Sequence, residues 1–239
     1  MTWCSLPGYW IGFDVLERYG CRLADGFLIT VQLVGWSFCL GLVFSLPLAL
    51  MRLKAPWPLR WFLTGYMTLF RGTPLLVQLF LVYYGLGSLR PLWQELNLWW
   101  FFRDPFYCCL LAFTLNTAAY QAEIMRGALQ SVPQGLTEAG RALGLSSPVI
   151  LLKIELPQAL MIALRPLGNE LVIMVKASAL GSLVTLYDLM GATKFAFARS
   201  FDLSIYLVAA VIYLALVELI RRLWAYGEQH LTRHLVTHR

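Results

Sequence analysis

Charge is scarce in this chain. Only 13% of its 239 residues are Asp, Glu, Lys or Arg, where a soluble domain carries about a quarter. Histidine is confined to the C-terminus, as His230, His234 and His238. The apolar stretches therefore offer no imidazole for catalysis or for a metal, and they contain no G-x-S-x-G nucleophile turn. There is no G-x-x-x-x-G-K-[ST] loop to cradle a phosphate, so any nucleotide chemistry belongs to another polypeptide. The five cysteines form no disulfide framework and no zinc spacing. Cys39, Cys108 and Cys109 lie inside apolar runs as small apolar residues, while Cys4 and Cys21 flank the first run and could pair if exported. The N-terminus lacks a basic stretch followed by a short apolar core and a cleavage site, so no cleaved signal peptide is expected. No internal repeat of the apolar runs is visible, which counts against a secondary transporter. These absences leave no catalytic residue and no metal site.

What is present is apolar sequence, 59% of the chain, with a mean hydropathy of +0.65. The pattern predicts an all-α membrane protein with about five transmembrane helices, at ~20 residues per crossing. Residues 1–24 read as an N-terminal periplasmic or interfacial segment, 25–226 as the transmembrane domain and 227–239 as a basic cytoplasmic tail. The first span lies near Asp25–Met51. The second lies within Trp61–Gly87, interrupted at Arg71-Gly72-Thr73-Pro74, and a tryptophan-rich interfacial loop with Trp93, Trp99 and Trp100 follows. The third covers about Pro105–Met125. The fourth starts after Pro157, with breaks expected at Pro166–Gly168 and near Gly181, and the fifth covers about Leu203–Tyr226. The net charge of +6 is spread over loops and span ends, which suits membrane orientation and not nucleic acid. Arg52, Lys54, Arg60, Arg126, Arg141, Lys153, Arg221, Arg222, Arg233 and Arg239 fall on one side. They outnumber Arg18, Arg22, Arg90, Arg103, Lys194 and Arg199 on the other. The bias puts the C-terminus in the cytoplasm, and an odd number of spans puts the N-terminus on the opposite side.

Between the third and fourth spans, at about 131–157, lies a soluble-looking loop. It contains Glu138-Ala139-Gly140, then Gly144, then Ile154 and Leu156-Pro157. Pro133 suits the first turn of a helix over Gln134–Leu143, and Gly144 suits the left-handed position that ends one. Ser147 and Pro148 would start a second short helix that Pro157 ends. Leu136, Ala139, Gly140 and Leu143 form one small apolar face, which is expected to be buried by a partner's groove. Glu138 and Arg141 stand three apart and could pair. The loop reads as a docking element for a cytoplasmic partner.

Polar residues inside spans need a partner or a wet cavity. Glu170, next to Asn169, lies about 20 Å along a helix from Pro157 at ~1.5 Å per residue. A carboxylate there could meet a cationic substrate, or pair internally with Lys176 or Arg165. Asn116 and Tyr120 share a face of the third span and could bind substrate or glue helices together. Glu123 reads as a structural partner of Arg126, and Arg71 either snorkels at the surface or is buried and paired.

The loop pattern resembles the EAA loop of permease subunits of bacterial ABC importers. Arg71-Gly72-Thr73-Pro74-Leu75-Leu76-Val77-Gln78, Ala119-Tyr120-Gln121-Ala122-Glu123 with Arg126-Gly127, Leu156-Pro157-Gln158-Ala159-Leu160, Asn169-Glu170 and Lys176-Ala177-Ser178-Ala179-Leu180 are similar to stretches of the polar amino-acid permeases, in particular the histidine/arginine/ornithine group. Gly140 and Ala179 depart from that pattern. The resemblance implies a type I ABC importer permease fold with a cytoplasmic coupling helix. It implies ATPase coupling through Glu138, Ala139, Gly140, Arg141 and Gly144, and substrate contact through Glu170, Asn169, Asn116, Tyr120 and Ser178. The implied partners are a second permease subunit (a heterodimer in preference to a homodimer), two ATPase subunits, a periplasmic substrate-binding protein and membrane lipid. No cofactor is expected on this chain, ATP and Mg being on the partner ATPase. A basic amino acid is the expected substrate. Glutamine, glutamate or opines are the alternatives, and a non-ABC secondary transporter is the rival reading.

Overall fold

A computed structural model describes residues 14–232, and every regular element among them is helical. α1 (Asp14–Lys54) is 41 residues long, about 60 Å at 1.5 Å per residue, roughly twice the thickness of a hydrocarbon core. It runs straight through the boundary expected at 24/25. Gly26 does not stop it, because that glycine serves close packing: a Cβ there would lie 2.7 Å from the Asp188 carbonyl oxygen. Arg52 and Lys54 occupy its last turn, where cations suit the helix dipole.

α2 (Trp57–Gly72) starts after Pro56 and ends at Thr73-Pro74. The chain continues as α3 (Leu75–Phe80), a π-helical turn (Leu81–Leu86), a 3-10 turn (Gly87–Leu89) and α4 (Arg90–Glu95). The interruption expected at Arg71–Pro74 is therefore a true helix end. α5 (Trp99–Phe102) carries the aromatic loop, where Trp93 stacks on Phe102 at 4.1 Å. Then come α6 (Pro105–Gln130), α7 (Gln134–Ala142), α8 (Ser147–Ile150), a π-helical turn (Leu151–Glu155) and α9 (Leu156–Ala177). A 3-10 segment (Ser178–Val184) follows, then α10 (Leu189–Ser200) and α11 (Ser204–Thr232).

Two expected breaks are absent. Pro157 ends no helix; it lies in the first turn of α9, directly after the π-helical turn, which absorbs the hydrogen bond a proline cannot donate. Pro166–Gly168 lies inside continuous α9. Gly168 is small because the Trp224 indole covers it, 2.5 Å from where a Cβ would stand. The break near Gly181 is present as the 3-10 segment, closed by Thr185 at φ 63°. The tail boundary at 227 falls inside α11. Cys4, His234 and His238 lie outside the described residues, so the Cys4–Cys21 pairing and the histidine row do too.

Among the described residues, four stretches are long and apolar enough to cross a membrane: Arg18–Lys54, Leu75–Glu95, Ser147–Val184 and Ser204–Leu231. α6, the expected third span, has the length, 26 residues. It is less apolar because it carries Thr114, Thr117 and Gln121, which are buried against other helices and not turned to lipid.

The described residues form two compact units. The first comprises 14–37, Pro74–Thr114 and Ile173–Leu219; the second comprises Phe38–Thr73, Leu115–Val172 and 220–232. Within the first, Leu23, Leu189, Ala192, Ala196 and Ile205 form a core. Asp188 caps α10 by accepting the Gly191 N–H at 2.9 Å. In the second, Met67, Ala119 and Ala122 pack with Leu48, Tyr66 and Phe70. A Cβ at Gly41 would come within 2.6 Å of Thr117, so α1 and α6 meet closely there.

Candidate coupling loop and polar face of the second unit

The α7–α8 loop is built by its caps. Pro133 precedes α7 with φ −57°, which its ring sets in advance. Gly144 takes φ +74°, a region where a side chain is strained. Around it the Leu145 N–H donates to the Gly140 carbonyl at 3.1 Å and the Gly144 N–H to the Arg141 carbonyl at 2.9 Å. This paired closure satisfies carbonyls that a helix end leaves open. The N-cap of α8 is Ser146, one residue before the expected Ser147, and its side chain makes no capping bond.

The small face of α7 is divided: Gly140 packs inside the chain, while Leu136, Ala139 and Leu143 stay exposed. Gly140 is buried, and a Cβ on it would meet Ile154 Cδ1 at 3.0 Å and Ile150 Cγ1 at 3.2 Å. At Gly140 alone, the following helical turns of the same chain fill the space beside the helix. Exposed instead are Leu143 (79%), Leu136, Ala139, Glu138 and Arg141. Among the described residues no ion pair joins Glu138 to Arg141. Both line a polar cleft with Gln134 and Glu155, and Glu155 accepts a 3.0 Å hydrogen bond from Thr137 Oγ1.

Asn116 and Tyr120 share a face of α6, as their spacing requires, and that face is tied to the end of α2. Asn116 Nδ2 donates to the Phe70 carbonyl at 2.9 Å, and Tyr120 Oη donates to the Arg71 carbonyl at 3.2 Å. The sequence contains the reason. The helical partner of Phe70 O would be the amide of residue 74, which is proline and has no N–H. The side chain of Asn116 supplies the missing donor. This signal could have been read from Pro74 alone, by asking which carbonyl it orphans.

Three residues beyond Tyr120, Glu123 gathers three arginines from three helices. Arg52 of α1 donates to Glu123 Oε2, Arg126 pairs with Oε1 at 2.5 Å, and Arg71 Nη1 of α2 stands 3.7 Å from Oε2. The Arg71 guanidinium also lies over the Tyr120 ring, 5.5 Å from its centroid. Arg71 is thus paired, and Glu123 is a hub, not merely a local partner of Arg126. Sequence spacing reveals only the Arg126 contact, because Arg52 and Arg71 are remote in the chain.

Glu170 is 7% exposed and accepts from Thr117 Oγ1 at 3.3 Å. It pairs with neither suggested cation: Arg165 Nε donates to Glu228 at 2.6 Å, and Lys176 is exposed. Asn169 turns to another side of α9, into a groove with Arg165, Arg221, Trp224 and Glu228. Adjacent helical residues point about 100° apart, so Asn169 and Glu170 do not converge. In the first unit, Ser178 is buried, and its hydroxyl donates to the Val175 carbonyl at 2.7 Å. Glu170 is thus a buried carboxylate inside an apolar span, lined by a hydroxyl.

Comparison with known proteins gives the family. The family model for the binding-protein-dependent transport system inner membrane component matches residues 41–233. The nopaline transport system permease protein NocM of Agrobacterium fabrum is 39% identical over 207 residues, covering 86% of each chain. The arginine ABC transporter permease protein ArtM of Escherichia coli is 40% identical over 162 residues, 68% of this chain and 72% of that protein. A crystal structure of an amino acid ABC transporter with histidines superposes with a TM-score of 0.79 at 28% identity, over 91% of this chain and 99% of that one. Its fold is the all-α permease architecture expected from the sequence. The chain belongs to the family of binding-protein-dependent transport system inner membrane components, the membrane permease subunits of ABC importers.

Proposed function

We propose that this chain carries basic amino acids, or opines bearing an arginine-like guanidinium, across the bacterial inner membrane. In this reading Glu170 lends a carboxylate to the cationic group of the substrate once two permease subunits enclose the pathway. The observation that carries it is the buried carboxylate of Glu170, held in a span by the Thr117 hydroxyl and, among the described residues, by no arginine or lysine ion pair. Such a group is costly in a membrane unless it meets a cation or water. The likeness to an arginine permease and to nopaline and octopine permeases supports the same substrate class. The second reading, an opine, is favoured by the longer match to the nopaline permease.

The family supports ATPase and substrate-binding partners. We assign the ATPase contact to the exposed face of α7, with Glu138, Ala139, Arg141 and Leu143 touching the partner. Gly140 and Gly144 hold the loop in shape. ATP and Mg belong to that ATPase, and this chain binds no cofactor. The α7–α8 loop and the end of α11 face the cytoplasm, and the other permease subunit is a different chain. Closure of the ATPases draws the two loops together and turns the pathway outward; hydrolysis returns it inward. The change is an equilibrium between two states biased by nucleotide and by the loaded binding protein.

The deciding experiment is ATPase stimulation of the reconstituted complex by its binding protein, screened with arginine, histidine, ornithine, nopaline, octopine, glutamine and glutamate. Stimulation by the guanidinium or ammonium ligands, lost in Glu170→Gln, is the expected result. Stimulation by glutamate and not by arginine would sink the substrate assignment.

A further inference from the structure

In the first unit, α1 and α10 bring two cations to one aromatic ring. The Arg22 guanidinium of α1 lies over Phe195 of α10, 3.9 Å from the ring centroid, and that of Arg199 lies 5.4 Å from the same centroid. Tyr187 makes a T-shaped contact with this ring, centroids 6.3 Å apart. Arg18, one helical turn before Arg22, shares its face of α1. Arg18, Arg22, Arg199 and Tyr187 are all exposed.

A phenyl face attracts a guanidinium but does not neutralise it. Among the described residues none of these three arginines enters an ion pair, and residues 1–13 contain no Asp or Glu. Asp202, three residues after Arg199, is turned to the start of α11, where its Oδ1 accepts the Ser204 N–H at 2.9 Å. Like charges spaced i, i+4 on a helix repel, and the shared ring adds a third cation from another helix.

Depth selects the kind of occupant. The apolar run of α1 begins at Phe27, and Arg22 and Arg18 precede it by about 8 and 14 Å of helix. The headgroup layer on one side of a bilayer is about 5–8 Å deep. The patch therefore starts at the outer edge of the headgroups and extends into water, where a soluble protein reaches it and a phospholipid does not. Arg199 precedes the apolar run of α11, whose far end carries Arg221-Arg222. It thus marks the side opposite to the end of α11, the periplasm in the reading proposed above.

We infer that the Arg18, Arg22 and Arg199 patch around Phe195 docks an acidic surface of the substrate-binding protein. This rests on the importer reading and adds the surface by which that partner is recognised. Complementary charge speeds encounter and sets orientation. The ring holds two guanidiniums in place beforehand, so docking costs them little side-chain entropy.

The test is ATPase stimulation of the whole complex in nanodiscs, titrated with its own loaded binding protein. Arg22→Glu and Arg199→Glu should each raise the half-maximal concentration about ten-fold. The maximal rate, the basal rate and the unfolding midpoint should stay as they are. Added salt should weaken stimulation of the wild type more than of the double variant. If the wild type responds and both variants keep its half-maximal concentration, the docking surface is overturned and the importer reading stands. An effect of the substitutions that vanishes when phosphatidylglycerol is left out of the nanodiscs would also overturn it, because a lipid would then be the occupant. A wild type that does not respond at all would overturn both readings.

Discussion

The α7–α8 loop and the polar face of α6 are both rich in small and polar residues, and the same unit treats them in opposite ways. On the loop, Glu138, Ala139, Arg141 and Leu143 stay at the surface, and only Gly140 turns inward. On α6, Asn116, Thr117, Tyr120, Gln121 and Glu123 are each engaged by the chain itself. They meet the Phe70 carbonyl, Glu170, the Arg71 carbonyl, the Phe38 carbonyl and three arginines respectively. The loop keeps these side chains at the surface, whereas the α6 face closes the unit on itself. Residue type alone does not distinguish a docking surface from a structural seam; what each polar atom touches does.

That contrast breaks most sharply at Glu123. Glu123→Ala leaves three guanidiniums facing one another and should destabilise the chain by about 2–4 kcal/mol, less than the ~3–5 kcal/mol for breaking a fully buried pair because the cluster is partly exposed. The midpoint of thermal unfolding of the solubilised complex reads this, and an unchanged midpoint would remove the hub from the account. Gly140→Leu tests the one loop residue that behaves like core. It forces Ile150 and Ile154 apart, at about 1–3 kcal/mol, and lowers the midpoint along with ATPase stimulation. Gly140→Ala should be tolerated, since the tips of two isoleucines can shift.

Asn116→Leu re-orphans the Phe70 carbonyl and should cost about 1–3 kcal/mol, with Tyr120→Phe nearer 1 kcal/mol. Both should leave the substrate KM of transport unchanged. A raised KM at an unchanged midpoint would move these residues from the seam to the substrate pathway. The smallest effect on stability belongs to Leu143→Ala and Glu138→Ala, within about 0.5 kcal/mol as for other surface positions. Both should nevertheless uncouple ATPase stimulation from the loaded binding protein. Full stimulation in both variants would show that the exposed face of α7 is not the contact.

Much of the architecture was legible in residues. Apolar runs gave helices, Arg71-Gly72-Thr73-Pro74 marked a helix end, and Gly144 marked the left-handed stop. The misreadings share a cause. Pro157 and Pro166 looked like breaks because proline lacks an amide proton. A π-helical turn and an uninterrupted α9 accommodate them instead, and neither has a sequence signature as strong as the proline itself. Asn169 and Glu170 looked like one site because they are neighbours in the chain, yet on a helix neighbours diverge. The hub at Glu123 was half visible, since Arg126 lies within a turn and Arg52 and Arg71 do not.

The sequence by itself determined the class, an apolar helical permease with a capped two-helix loop and no nucleotide-binding loop of its own. Periodicity, composition and capping are local properties, so the order of residues is enough to state them. Only the tertiary structure decided that Gly140 faces Ile150 and Ile154, that Asn116 serves the carbonyl Pro74 leaves open, and that Glu170 meets Thr117. Those are contacts between segments far apart in the chain. Which donor reaches which acceptor depends on how helices pack, and packing is set by side-chain shape on several helices at once.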